Sequence, residues 1–210
     1  MKSDTEGALP LVAVYADESC LGNGREGENP GGAGVLVEYR RPEGAIVRHD
    51  LWVAEAATTN NRMALRSVIE SLGALARKGR RFRVVFTTDS RYIVDGMTRW
   101  VHDWARRRWR RKSGAIENLE LWQDALRAAA PHEVSWHWVR GHHGHPQNEY
   151  ANDLAMRAAG EQSSSNGLVE SGFDVWHTAR PVRAGKHAEP APFPDDPAPA
   201  RPRALPEAEA

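Results

Sequence analysis

Two aspartates are the first residues in this chain that suggest chemistry. Asp17 follows the β-type run PLVAVYA, and Asp89 closes the nearly all-apolar run FRVVFTTD. In an open mixed sheet, carboxylates at central strands mark a functional edge. Two buried like charges must protonate or take up a counter-charge. The pair therefore reads equally well as a shared cation site, or as a turn former (Asp17) and a helix cap (Asp89). A second candidate is WVRGHHGHPQNEYANDLA, a glycine-flanked loop with His142, His143 and His145 that leads into a helix. Three histidines suggest zinc, but no fourth ligand is spaced for it. A mobile histidine that handles protons is another option, and on spacing alone a plain polar loop suffices. The third is RWVHDWARRRWRRK, residues 99–112. It sets Arg99, Arg106, Arg107, Arg108, Arg110, Arg111 and Lys112 against one acid, Asp103, with Trp100, Trp104 and Trp109 interleaved. Arginines pair with phosphates bidentately, and indoles pack on sugars or bases. The segment points to nucleic acid, although Trp100 and Trp104, one helical turn apart, also offer a stripe to a core.

The elements that must position these groups follow from periodicity. PLVAVYADES alternates, with Leu11, Ala13, Tyr15 and Asp17 on one face and Val12, Val14, Ala16 and Glu18 on the other. A glycine-rich loop precedes AGVLVEYR and IVRHDLWVAEA, which completes an antiparallel meander. Residues 61–76 switch to a helical stripe of Leu65, Val68, Ile69, Leu72 and Leu75, capped by Asn60 or Asn61. FRVVFTTD is a buried central strand. SRYIVDGMTRWVHDW and ENLELWQDALRAAA are helices, VSWHWV is a strand, and NEYANDLAMRAAG is a closing helix. The order βββαβααβα implies an α/β fold, a five-stranded mixed sheet with helices packed on it.

Composition narrows the partners. The 210 residues suit one domain with tails. Acidic and basic residues balance at 28 each, so any nucleic-acid surface is local. The single cysteine, Cys20, excludes an intrachain disulfide and a CxxC metal knuckle, and fits a reducing compartment. No apolar run approaches the roughly 20 residues of a membrane span. The sequence reads as a cytoplasmic monomer with no membrane partner. Residues 1–9 form an N-terminal extension, 10–176 the domain, and 177–210 a Pro/Ala-rich tail expected to be disordered. Residues 161–170 read as a loop, and ESGFDVW has the composition of a segment that docks.

Taken together, YADESCLGN, PGGAGVL, ATTNNRMAL, TTDSRYIVDGMTRWVHDW, NLELWQ, WVRGHHGHPQNEYANDLA and, more weakly, ESGFDVW resemble the type 1 ribonuclease H family. The resemblance implies the ribonuclease H-like fold and an endonuclease that cuts RNA in RNA–DNA hybrids with Mg²⁺, Mn²⁺ being the alternative ion. It implies metal ligands at Asp17, Asp89 and Asn152, and a proton-handling or product-releasing loop histidine at His142. It further implies hybrid contacts at Asn23, Thr59, Asn60, Asn61 and Arg91. The segment containing Trp100, Trp104, Arg106, Arg107 and Trp109 is similar to the family's basic protrusion, which grips the DNA strand.

The departures concern charge. Where the family reads TTNNRMEL this chain has Ala64, and its fourth carboxylate is here Asn152, which keeps a carbonyl oxygen but no charge. Glu18 replaces the glycine that usually follows the first aspartate. A regular strand would turn Glu18 away from Asp17, so it can join the site only at a bulge or a strand end. Asp153 lies about 100° round the helix from Asn152, and Glu149 lies three residues before it. Two functions follow: a ribonuclease H in which Glu18 substitutes for the missing acid, or an inactive module that binds RNA–DNA hybrids or double-stranded RNA.

Overall fold

Alternating apolar residues build the first strand and give each of its faces a partner. The computed structural model describes residues 9–22, 29–111, 114–141, 143–179 and 188–195. Strands β1 (Leu11–Cys20), β2 (Gly31–Arg40) and β3 (Ile46–Glu55) form the antiparallel meander. Helix α1 (Asn60–Leu75) leads to β4 (Arg83–Thr88), which pairs parallel with β1. Next comes a nearly continuous helical stretch: α2 (Arg91–Asp95), a π-helical turn at Gly96–Trp100, and α3 (Val101–Arg106). Helix α4 (Leu119–Ala129), β5 (Glu133–Trp138) and α5 (Pro146–Glu161) follow. With a short β6 (Val169–Glu170) at one edge, the sheet order is β5-β4-β1-β2-β3-β6, with β1 central.

One face of β1 supplies Val12, Val14 and Ala16 to a core with Leu65, Val68 and Leu72 of α1, and with Trp122 of α4. The other face supplies Ala13 and Tyr15 to a core with Tyr150 and Leu154 of α5 and with Phe173. Each buried valine or leucine among these contributes about 1.5–3 kcal/mol by leaving water. Both faces of β1 are thereby held, and its C-terminal end has one defined position. Gly34 on β2 lets α5 approach closely: a Cβ there would stand 2.1 Å from the Ala151 carbonyl oxygen.

Three expectations are corrected. The sheet has six strands, because β6 (Val169–Glu170) pairs with Asp50 and His49 of β3 inside what reads as a loop. Buried Asp50 is the cause. Its carboxylate accepts from the hydroxyls of Tyr150 and Ser171, each at 2.6 Å, and from the Gly172 N–H at 3.1 Å. The cap of α1 is Thr59, whose Oγ1 accepts from the Arg62 N–H at 3.3 Å, and not Asn60 or Asn61. Part of the expected disordered tail is ordered: α6 (Phe173–Ala179) runs beyond residue 176, and 188–195 lies against the domain with Phe193 in the α5-side core. No described helix is long and apolar enough to cross a membrane.

Candidate active site

The parallel ladder between β1 and β4 ends at the Ala16–Thr88 pair. Asp17 and Asp89 are the next residues on their respective strands, so the topology alone sets two carboxylates side by side at the carboxyl ends of central parallel strands. Glu18 is the third acid. The β1–β2 ladder runs without a bulge through Glu18 to Cys20, so strand alternation sends Asp17 to the α5 side and Glu18 to the α1 side. The longer glutamate closes the gap where β1 has lost its β4 neighbour. Carboxylate oxygens of Asp17, Glu18 and Asp89 all lie within 4.8 Å of one another. Glu18 was expected to join only at a bulge or a strand end; it joins at neither, lying two residues before β1 ends and two beyond the last β1–β4 rung.

Burial, and then the neighbouring Asp89, push Asp17 up to about 8, against the opposing hydrogen bond from the Glu18 N–H at 2.7 Å. Burial, and then Asp17 and Asp89, raise Glu18 well above the usual carboxylate range, with the Ser90 hydroxyl opposing. Three oxygen donors that repel one another suit a hard divalent cation, which would relieve the repulsion.

The lost acid and the new one share a face of the sheet. Ala64 is fully buried in the α1-side core with Val14 and Ala16, the face on which Glu18 emerges. Helix α1 thus offers no acid at position 64, and β1 offers one at position 18.

Helix α5 braces the other side. Asn148, buried, donates its amide to the Ala16 carbonyl at 3.3 Å and to Asp17 Oδ2 at 3.4 Å. Asn152 follows one turn later, half-buried, with its amide directed to Met156 Sδ at 3.5 Å. Asp153 turns away and accepts from the Trp176 indole at 2.5 Å. Glu149 accepts from the Gly144 N–H at 2.9 Å and so braces the histidine loop. That loop begins against the acids, since Gly141 packs on the Asp89 carboxylate. His145 caps α5, with Nδ1 accepting from the Asn148 N–H at 3.3 Å, and packs on Tyr15. His142 and Asn23 lie outside the described residues.

The expected substrate residues divide. Arg91 is exposed, its guanidinium 4.0 Å above the Trp138 ring. Trp138 is 39% exposed at the end of β5 and donates its indole N–H to the Asp89 carbonyl at 2.9 Å. Trp138, Asn148 and Ser90 were missed from sequence. The alternation in VSWHWV signals Trp138, but nothing local signals the other two. Asn60 Oδ1 is buried and, among the described residues, has no hydrogen-bond partner. Asn61 is exposed beside it. Trp100, Trp104 and Trp109 are half-buried and pack on the core. Trp100 and Trp104 both meet Trp122 edge-on. Arg106 pairs with Asp103, whereas Arg107, Arg108, Arg110 and Arg111 face solvent. The tryptophans thus anchor the basic segment, and its arginines are the part that faces outward.

Comparison with known proteins adds the lineage. The RNase H family profile matches residues 10–160. A ribonuclease H from Erythrobacter litoralis is 44% identical over 156 residues, 74% of this chain and 100% of that protein. One from Neisseria gonorrhoeae is 42% identical over 153 residues, 72% of this chain and 97% of that protein. Among solved structures, LC9-RNase H1, described as a type 1 RNase H with the type 2 active-site motif, is 71% identical with a TM-score of 0.82, covering 89% of each chain. The fold, the ordered motifs and these relatives agree that the chain belongs to the ribonuclease H family.

Proposed function

We propose that this ribonuclease H cuts the RNA strand of RNA–DNA hybrids at a divalent-cation site held by Asp17, Glu18 and Asp89, with Mg²⁺ as the ion and Mn²⁺ as a substitute. When bound, the cation supplies an activated water and stabilises the leaving oxygen of the scissile phosphodiester. Asp17 and Asp89 are the acids the family layout expects, and Glu18 supplies the charge that Ala64 lacks. Asn152 contributes a neutral oxygen from α5. Asn148 orients Asp17. The Asn60 amide oxygen accepts a hydrogen bond from the hybrid, Thr59 and Asn61 are its neighbours on the same helix start, and Asn23 is a further hybrid contact. His142 moves protons at the loop that Gly141 starts. Arg91, stacked on Trp138, faces a backbone phosphate, and Arg106 and Arg107 follow the DNA strand on a platform held by Trp100, Trp104 and Trp109.

The convergence of Glu18 on the two aspartates carries this reading over the inactive binding module. A module without catalysis has no need of a glutamate where a glycine would serve, in a cluster that repels itself. The test is cleavage of an end-labelled hybrid in Mg²⁺ and in Mn²⁺ by the parent chain, Glu18→Gln and Asp89→Asn. The expected result is cutting by the parent and loss of at least 100-fold in each variant. Tight hybrid binding with no cutting in either metal would establish the module instead.

A further inference from the structure

The segment 188–195 is tied to the domain at one helical turn. Gln147 is fully buried, and its amide pairs with the backbone of Ala191 in both directions: Nε2 donates to the Ala191 carbonyl at 2.8 Å, and Oε1 accepts from the Ala191 N–H at 3.0 Å. Two residues on, Phe193 joins the α5-side core that also holds Tyr15, Leu36, Tyr150 and Leu154. Arg40 closes over it, with its guanidinium 4.7 Å from the ring and Nη2 donating to the Phe193 carbonyl at 3.2 Å. Ala188 is held by His177 of α6 at 3.0 Å. Gln147 immediately precedes Asn148, the residue that reaches across to Asp17 and the Ala16 carbonyl. The same turn starts from His145, where the histidine loop ends.

We infer that residues 188–195 act as a strap that fixes the first turn of α5, so that Gln147, Ala191 and Phe193 are positioning residues for the acid cluster. The argument is mechanical. The first turn of a helix lacks intrahelical partners for its N–H groups and frays most easily. Here the frayable turn carries the side chain that orients Asp17. A strap that satisfies a buried amide on both its donor and acceptor sides, and that adds an aromatic ring to the core on which the same helix packs, removes that freedom before a cation arrives. Preorganised ligands lose less entropy on binding. The inference rests on the reading of Asp17 as a cation ligand.

The experiment uses the full chain. Mn²⁺ affinity is measured by calorimetry, and the Mg²⁺ half-saturation, kcat and hybrid KM by cleavage, for the parent, Phe193→Ala and Gln147→Met. Leu126→Ala, on α4 at the opposite core, serves as a control for lost stability without strap release. Strap release in the two variants is verified by accelerated proteolysis between residues 179 and 196. The expected outcome is a three- to ten-fold weakening of Mn²⁺ binding and a matching rise in the Mg²⁺ half-saturation. Hybrid KM stays within two-fold, and Leu126→Ala lowers only Tm. Unchanged Mn²⁺ affinity in both released variants, or an equal loss in Leu126→Ala, overturns the strap. A parent that binds Mn²⁺ but does not cut refutes the proposed activity and leaves the calorimetric test of the strap intact. A parent that binds no Mn²⁺ removes both.

Discussion

A Cβ built on Gly141 would stand 2.1 Å from Asp89 Oδ2. The backbone of the histidine loop thus occupies the space beside the carboxylate, and residue 141 has no room for a side chain. Gly141→Ala is expected to be tolerated by the fold, because the opposing atom is the end of a side chain that can rotate. The rotation takes Asp89 out of the cluster. Hybrid cleavage should fall by at least ten-fold while Tm moves by only a few degrees. A variant that cuts at the parental rate would show that Asp89 does not need its present rotamer.

Exchange of the acids tests where the second carboxylate belongs. Ala64 is fully buried on the face that receives Glu18. Ala64→Glu alone forces another carboxylate into this packed and already repulsive region. It is expected to cost several kcal/mol of stability, by overpacking and burial of charge, with no gain in activity. Glu18→Gly alone should abolish cutting. The double variant Glu18→Gly/Ala64→Glu should regain cleavage relative to either single change. Denaturant melts and hybrid cleavage on the four chains decide it, and a strong gain from Ala64→Glu alone would contradict the exchange.

The raised Asp17 makes cation-free stability depend on pH. Its unfolded value is near 3.8 and its folded value about 8, so between these limits the native state holds a proton that the unfolded chain has released. Stability from this group is complete below pH 4 and is lost as pH rises towards 8. Glu18, shifted in the same direction, adds to the slope. In chelator, Tm should decline from pH 5 to pH 8, and Asp17→Asn should flatten the decline. Added Mg²⁺ should raise Tm more at pH 8 than at pH 5, since the ion and the proton compete.

Separate measurements distinguish the two residue types of the basic segment. Trp104 packs against Trp100 and Trp122, so Trp104→Ala is expected to destabilise the protein by about 2–4 kcal/mol. Arg107 is exposed at the end of α3. Arg107→Ala should leave Tm unchanged, weaken hybrid binding and reduce the slope of log Kd against log salt by about 0.7–0.9, the value for one phosphate contact. An unaltered salt slope would remove Arg107 from the contact surface.

The core elements were legible because their signals are local. Alternation in PLVAVYADES, the apolar run FRVVFTTD and the stripe Leu65–Val68–Leu72 each follow from burial at a fixed period; the two aspartates stood out at the ends of such runs, and the resemblance then chose the cation site over the turn and cap. Glu18 was legible only as a conditional. Alternation opposes it, and the ladder's last rung at Ala16–Thr88, which permits it, is a tertiary fact. Asn148 gave no signal, since its partner is 131 positions away. The short strand Val169–Glu170 escaped notice because Asp50 organises it from another element through Ser171 and Gly172. The order at 188–195 was hidden by composition. Proline and alanine predict no core of their own, but a single Phe193 suffices when a preformed slot receives it.

The placement of the acids has a bearing on how the site is assembled. All three acids of the cluster come from β1 and from the residue that follows β4, and α1 contributes none. The pairing of β1 with β4 therefore suffices to bring the three acids together, and the docking of α1 adds no carboxylate to them.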